Sequence, residues 1–175
     1  MKIERIPETA LSPTVEAEIA DLLGRCFDTD FGGRSYYQQR HHLRLTARVD
    51  GALVGHVALC LRDVRLGDSL VSIAGLAEVA TDPAARGQGI AGALLDAAIA
   101  EVRNWPVRFF ALFGDRPLYA ARGFRPQPNT ITYLVLDGAR TGPLRTGADG
   151  GLMVLPIGPH DWDGTQPLDL LGHKF

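Results

Sequence analysis

A glycine-rich segment, Arg86 to Gly92, has the residue types and spacing of a site for a phosphate anion. It lies between a β-prone run and an apolar helical pattern that begins at Ile90, which predicts a strand, a tight turn and a helix start in that order. Such a junction brings free backbone N–H groups and the positive end of a helix dipole to one point. Gly87 and Gly89 allow backbone to approach a phosphate closely, and Arg86 adds a fixed cation. The segment therefore predicts a binding site for a diphosphate.

Two common phosphate-binding loops do not account for this segment. A P-loop requires a Lys-Ser or Lys-Thr pair after its second glycine, whereas the chain continues Ala93-Leu94-Leu95-Asp96. The glycines at 87, 89 and 92 do match the spacing of a Rossmann turn. That fingerprint also needs an acidic residue at the end of the next strand, and the next strand-like run, Val107 to Phe113, ends without one. A tight connection with no ligand is the structural alternative.

Two short motifs follow one another in this half of the chain. Arg86, Gly89 and Ala91 form an Arg-x-x-Gly-x-Ala pattern, and Leu118 to Phe124 form a Leu-Tyr-x-x-x-Gly-Phe pattern. In this order they resemble the acyl-CoA-binding motif and a later segment of the GNAT N-acetyltransferase superfamily. The resemblance implies that acetyl-CoA is the cosubstrate and that its diphosphate rests on the glycine turn. The residues assigned to cofactor binding are Val79, Thr81, Arg86, Gly87, Gln88, Gly89, Ile90, Ala91 and Gly92.

Composition sets limits on the partners. With 175 residues, 46% hydrophobic and 22% charged, the chain can form a substantial core, and we expect residues 1–175 to be a single acyltransferase domain. A net charge of −2 without a Lys/Arg cluster argues against a nucleic-acid partner. The absence of an apolar run of about 18 residues and of a signal core predicts no membrane partner and a cytoplasmic location. Cys26 and Cys60 are too few for a disulfide framework or a zinc site, so we expect buried, reduced thiols and no metal.

The elements predicted around these motifs make a mixed α/β fold. Ser12 and Pro13 are typical of a helix start, and the helix is followed by a loop over 27–34. Alternation over 43–49 and the Asp50-Gly51 turn predict a hairpin. Later elements are a strand ending at Thr81, a helix over 90–103, a buried strand over 107–113, a short helix over 115–122, and strands over 130–136 and 152–157. We expect a GNAT-like, mostly antiparallel central sheet flanked by helices, with a parallel βαβ element at the cofactor site.

Transfer from a thioester to an amine needs a proton donor for the departing thiolate. Tyr119 stands at the tyrosine of the second motif, and a phenol can donate a proton to sulfur. The resemblance therefore makes Tyr119 the candidate general acid. The alternative is a buried tyrosine that packs over the cofactor and hydrogen-bonds to backbone.

The attacking amine must lose a proton, because an alkylammonium with a pKa of about 10 is not a nucleophile. Glu78 precedes the turn, where carboxylates often serve this superfamily, and its apolar strand is expected to raise its pKa by desolvation. His56 interrupts another apolar strand, titrates near neutrality and is the second candidate base. An outward-pointing or ion-paired Glu78 and a structural His56 are the alternatives. His41 and His42 are expected to form a solvated pair.

The acceptor is expected to be a primary amine on a small molecule. In this superfamily the loop after the first helix borders the acceptor site, so Asp28, Asp30 and Phe31 are candidate substrate-binding residues. The chain also loosely resembles the aminoglycoside 2'-N-acetyltransferases in Asp30-Phe31, His56, the 118–124 segment and the strand 153–157 with its irregular tail. Nodulation-type N-acyltransferases share a similar hydrophobic-Pro-Ile-Gly ending. These resemblances imply an aminosugar or aminoglycoside acceptor, although Gly32-Gly33-Arg34 departs from the acidic surroundings of the aminoglycoside enzymes.

The sequence leaves two other functions open. A catalytically inert CoA-binding sensor would keep the glycine turn and need no base. A nucleotide-binding protein on a doubly wound sheet is disfavoured by the hairpin signals Asp50-Gly51 and Gly67-Asp68. The sequence also leaves open the acceptor amine, the acyl chain length and the formation of a homodimer.

Overall fold

The computed structural model describes residues 1–175. The chain divides into two units, one formed by Met1–Cys60 and Ala77–Ala100 and the other by Leu61–Leu76 and Glu101–Phe175. Strands β3 (Ala52–Leu66) and β4 (Ser69–Thr81) each contribute residues to both units. No helix is long and apolar enough to cross a membrane.

The first unit combines an antiparallel meander with two helices. Besides its parts of β3 and β4, it contains β1 (Lys2–Pro7), α1 (Pro13–Cys26), β2 (Leu43–Val49) and most of α2 (Ile90–Val102). β1 pairs with β2 and β2 pairs with β3, both antiparallel. The hairpin between β2 and β3 turns at Asp50 and Gly51, whose φ angles of +50° and +85° suit a two-residue turn. The sequence predicted this hairpin and it is confirmed.

Helix α1 begins where its capping signal predicts. The Ser12 hydroxyl accepts a hydrogen bond from the Val15 N–H at 3.3 Å, and Pro13 occupies the first turn, where its missing N–H has no cost. Its apolar face forms one core of the unit, with buried members Ile19, Leu22, Leu23, Phe31, Leu53 and Ala80. These contacts hold α1 against residues of β3 and β4.

A glycine on β3 lets α2 approach the strand closely. A Cβ atom at Gly55 would lie 2.7 Å from Ile90 Cγ2 and 2.8 Å from Leu94 Cδ1, which is nearer than side chains tolerate. Ile90 and Leu94 are themselves buried. The first turn of α2 is therefore fixed against β3.

The second unit holds the remaining strands. Its further elements are β5 (Phe109–Phe113), α3 (Pro117–Ala120), β6 (Arg125–Pro126), β7 (Thr130–Asp137), β8 (Arg140–Ala148), β9 (Leu152–Pro156) and β10 (Leu168–His173). β9 pairs antiparallel with β5 and β6, β8 with β7, and β10 with β3, whereas β10 and β7 are parallel. The core includes Ile73, Phe109, Ile131, Val154 and Leu168.

The expected fold class is confirmed by these strand pairs. β4 and β5 are parallel and are joined through α2, as the βαβ prediction requires. The expected irregular tail is wrong, because residues 168–173 form β10. Its backbone is held by Arg62, which donates hydrogen bonds to the carbonyl oxygens of Leu170, at 3.0 Å, and His173. Because Arg62 lies far from β10 in the sequence, the residues of β10 alone do not predict this strand.

Candidate active site

The glycine turn has the geometry that the sequence predicted. After β4 ends, the Asp82 carboxylate accepts a hydrogen bond from the Ala84 N–H at 2.9 Å and caps a short 3-10 turn, Pro83–Ala85. Gly87 and Gly89 then have φ angles of +79° and +77°, in the left-handed region that glycine adopts without strain. The chain can thus reverse and enter α2 within a few residues.

The first turn of α2 offers hydrogen-bond donors. The N–H of Ala93 bonds to the Gly89 carbonyl at 3.0 Å, so the N–H groups of residues 90–92 precede the helical ladder. Arg86 and the glycines are exposed, and no atom lies within 4 Å of the position of a Cβ at Gly87 or Gly89. Open backbone, a cation and the positive end of a helix dipole coincide here, an arrangement suited to a diphosphate.

Val79 and Thr81, also predicted to bind the cofactor, lie half-buried at the end of β4. The Thr81 hydroxyl oxygen is buried without a hydrogen-bond partner, and the Cys26 thiol donates to the Thr81 carbonyl at 3.3 Å. Burial raises the pKa of the Cys26 thiol, which keeps it protonated. Cys26 is half-buried and Cys60 buried, and no disulfide joins them.

Glu78 interrupts β4 just before this turn. Its φ of +52° is left-handed, which costs a non-glycine residue about 1–2 kcal/mol. The carboxylate accepts hydrogen bonds from the Tyr37 N–H at 2.6 Å and from Arg44 Nη1 at 3.3 Å. His41 Nε2 lies 3.1 Å from its Oε1 atom. The side chain is 7% exposed, so these contacts replace most of its water.

The predicted rise in the pKa of Glu78 is wrong in sign. Burial does raise this pKa, but the hydrogen bond and charge of His41 and the Tyr37 N–H outweigh it and lower the pKa below its usual value of 4.5. These partners come from the segment before β2, which the strand sequence around Glu78 does not reveal. At neutral pH the group is a fixed carboxylate.

His56 does not titrate near neutrality, contrary to expectation. It is fully buried, with Nδ1 3.1 Å from the Glu78 carbonyl oxygen and Nε2 3.3 Å from Arg44 Nη1. A carbonyl only accepts and a guanidinium only donates, so Nδ1 carries the proton and Nε2 accepts. Burial, and then the charge of Arg44, lower the pKa of His56 to about 3. Both ring nitrogens are occupied by structural hydrogen bonds.

The expectation of a solvated histidine pair is wrong for His41. Its side chain is 7% exposed and faces Glu78, whereas His42 is exposed. His41 lies in an irregular segment directly before β2. Such a segment has no periodicity from which the burial of His41 could be predicted.

A buried arginine that the sequence analysis missed connects these groups. Arg44 on β2 is 0% exposed and donates to Glu8 Oε2 at 2.8 Å and to the Ser35 carbonyl at 2.7 Å. Arg40 bridges Glu8, at 3.1 Å, and Glu16, at 2.8 Å. We call this set the Arg44 cluster; its members are Glu8, Glu16, Arg40, His41, Arg44, His56 and Glu78. All of them belong to the first unit.

Tyr119 lies on α3 in the second unit, within the predicted short helix. It is 8% exposed and its ring packs edge-on against Phe124, with centroids 6.3 Å apart. Burial raises the pKa of the phenol above 10.0, so the hydroxyl stays protonated at neutral pH. Gly123 follows with a φ of +89°, the left-handed conformation in which a glycine commonly ends a helix.

The three predicted acceptor residues occupy different environments. Asp28 and Asp30 are exposed, and Asp30 accepts a hydrogen bond from the Gly32 N–H at 2.6 Å. Phe31 is buried between the rings of Phe27 and Tyr37, each 5.5 Å away by centroid. The aspartates remain available to a ligand, whereas Phe31 is part of the core.

Comparison with known proteins agrees with this geometry. A family model described as an acetyltransferase (GNAT) domain matches residues 10–126, well over half of the chain. The chain therefore belongs to the GNAT acetyltransferase family and is an N-acetyltransferase. No match is found among curated protein sequences.

Solved structures share the fold. YhbS from Escherichia coli, in complex with CoA, is 20% identical with a TM-score of 0.66, over 97% of this chain and 88% of that one. A GNAT acetyltransferase from Brucella melitensis, in complex with acetyl-CoA, is 22% identical with a TM-score of 0.59, over 95% of both chains. The ribosomal-protein-S18-alanine N-acetyltransferase from Escherichia coli is 20% identical with a TM-score of 0.59, over 93% of this chain and all of that one, 100%.

Proposed function

We propose that this protein transfers an acetyl group from acetyl-CoA to a primary amine of a small molecule by direct attack of the amine on the thioester. The observation that carries the proposal is the glycine turn, with its left-handed Gly87 and Gly89, its exposed Arg86 and the free N–H groups at the start of α2. The fold neighbours crystallised with CoA and acetyl-CoA support the same cosubstrate.

The cosubstrate is held at its diphosphate. The N–H groups from Gln88 to Gly92 donate to the phosphate oxygens, and Arg86 pairs with their charge. Val79 and Thr81, at the end of β4, flank the acyl-bearing arm of the cosubstrate.

Tyr119 supplies the proton to the leaving thiolate. When the amine nitrogen bonds to the carbonyl carbon, the C–S bond breaks and its electrons go to sulfur, which takes the phenolic proton. Burial raises the pKa of Tyr119, so at neutral pH the phenol carries the proton that this step needs.

The acceptor is a cationic small-molecule amine, of which an aminosugar is the form that the resemblances favour. The exposed Asp28 and Asp30 can pair with an ammonium group. The Arg44 cluster adds to this preference, since its three carboxylates outnumber its two guanidinium groups.

Calorimetry followed by a turnover screen tests the proposal. Acetyl-CoA is expected to bind, whereas ATP and NAD are not, and a panel of aminosugars, polyamines and amino-acid amines is expected to contain an acceptor that releases free thiol from acetyl-CoA. Binding of acetyl-CoA without thiol release across the panel would favour the inert CoA-binding sensor. Binding of ATP or NAD in place of acetyl-CoA would contradict the cosubstrate assignment.

A further inference from the structure

The polar atoms of the two candidate bases, Glu78 and His56, are already engaged by hydrogen bonds, whereas one ring nitrogen of His41 is not. Glu78 is an anion held by Tyr37 and Arg44, and both nitrogens of His56 are occupied. His41 has a side chain more than nine-tenths buried, and its Nε2 atom lies 3.1 Å from Glu78 Oε1, although the two atoms are not aligned as a hydrogen bond. Of these three residues, only His41 has a ring nitrogen whose role is not explained by a contact within the protein.

The contact with Glu78 fixes the tautomer of His41. A carboxylate oxygen 3.1 Å away repels a lone pair on Nε2, so the proton of a neutral ring lies on Nε2 and the lone pair lies on Nδ1. No hydrogen bond within the protein engages Nδ1. A carboxylate that orients an imidazole in this way leaves the far nitrogen as a proton acceptor.

Charged groups from several elements face His41. Glu78 on β4, and Glu8 directly after β1, face it with negative charge, while Arg44 on β2 opposes with positive charge. His56 on β3 stays neutral. With Glu16 and Arg40 included, the cluster holds three carboxylates and two guanidinium groups.

We propose that His41 accepts the proton of the attacking ammonium at Nδ1, and that Glu78 is the positioning residue that orients it. The inference rests on the proposed function. It assigns the role of base to His41 in place of Glu78 or His56, each of which has a structural role.

The proposed reaction transfers one proton to His41, forms one C–N bond and breaks one C–S bond. The ammonium gives one proton to His41 Nδ1, and the freed lone pair forms the C–N bond with the thioester carbon. The C–S bond breaks, and the second proton lost by nitrogen goes to the departing thiolate. The products are the amide, the thiol and an imidazolium that passes its proton to water.

A nuclear magnetic resonance experiment tests the tautomers without any substrate. The full-length protein is labelled with ¹⁵N-histidine, and the ring signals are assigned with His41→Gln and His56→Asn variants. At about pH 8, His41 is expected to carry its proton on Nε2 and His56 on Nδ1. A His41 ring protonated on Nδ1 would overturn the inference.

Kinetics with the amine found in the screen tests the chemical step. His41→Gln is expected to lower kcat by about 10²-fold and to remove the acid limb of the kcat/KM profile. Glu78→Gln should reduce kcat yet keep that limb, and the adjacent control His42→Gln should match the parent protein. An acid limb retained in His41→Gln, or lost only in Glu78→Gln, would overturn the inference.

Acetyl-CoA affinity, measured on the same preparations, separates the two proposals. Equal affinity in the parent protein and in His41→Gln is expected, because the polar contact of His41 is with Glu78 and not with the glycine turn. If the parent protein itself fails to bind acetyl-CoA, the proposed function fails, whatever tautomer His41 adopts.

Discussion

The role of each polar side chain in the Arg44 cluster is decided by its partners and not by its residue type. A glutamate in an apolar strand is expected to hold its proton more tightly, yet Glu78 holds its proton less tightly because His41 and Tyr37 approach it. A histidine is expected to titrate near neutrality, yet His56 is buried beside a guanidinium. The sequence identifies the candidate residues, and their contacts in the structure decide which role each one can have.

The neutral His56 should make stability depend on pH. Its pKa is 6.5 in an unfolded chain and about 3 in the fold, so below about pH 6.5 the unfolded chain binds a proton that the folded chain does not. The free energy of unfolding is therefore expected to fall, by up to about 1.4 kcal/mol per pH unit between about pH 6 and pH 5. Urea unfolding at several pH values measures this slope.

The variant His56→Asn provides the control, since the amide keeps a donor for the Glu78 carbonyl but does not titrate. It should be less stable at pH 7 and show a flatter slope between about pH 6 and pH 5. Equal slopes in the two proteins would mean that His56 is charged in the fold.

Replacing Tyr119 by phenylalanine tests the proton donor. The ring and its contact with Phe124 remain, and only the hydroxyl is lost. Turnover should fall by about 10² or more, while the affinity for acetyl-CoA should hold. A variant that turns over at nearly the normal rate would leave Tyr119 with a packing role.

At the scale of elements, the position of α2 against β3 decides where the helix dipole points. Gly55 permits this approach, because any side chain there would meet Ile90 and Leu94. Periodicity predicted both elements but gave no sign of their separation, since a single glycine in a strand is equally typical of a bulge. The anion site therefore depends on a residue that lies in a different element from the glycine motif.

Gly55→Ala should therefore lower both the stability of the fold and the affinity for acetyl-CoA. The added methyl group is expected to destabilise the fold by about 1–3 kcal/mol through overpacking and to lower acetyl-CoA affinity as the start of α2 shifts. Gly24→Ala is a matched control, because it lies in α1 with no atom within 4 Å of the new methyl group and should be neutral or stabilising. Thermal unfolding and calorimetry measure both quantities, and a Gly55→Ala variant with normal affinity would separate α2 packing from cofactor binding.

At the scale of the whole molecule, the structural features that were predicted correctly are those determined by neighbouring residues in the sequence. The cap at Ser12, the Asp50-Gly51 hairpin and the glycine turn each depend on a few adjacent residues, and all three are confirmed. Strands β1, β8 and β10 were not predicted, because their pairing partners lie far away in the chain or their residues are mostly exposed. The Arg44 cluster was missed for the same reason, since Glu8, Arg44 and Glu78 come from three separate segments.

The most direct test of the account is the affinity of the glycine turn for acetyl-CoA. Titration calorimetry compares the parent protein with Gly89→Val and with Gly138→Val, a control in the turn between β7 and β8 where φ is +50° and no atom lies within 4 Å of a new Cβ. Both substitutions strain a left-handed glycine, but only the first blocks the approach of a phosphate to the backbone. Gly89→Val is predicted to weaken binding by more than about 2 kcal/mol, roughly thirtyfold, while Gly138→Val binds as the parent does. Unchanged affinity in a folded Gly89→Val protein would contradict the assignment of the diphosphate site.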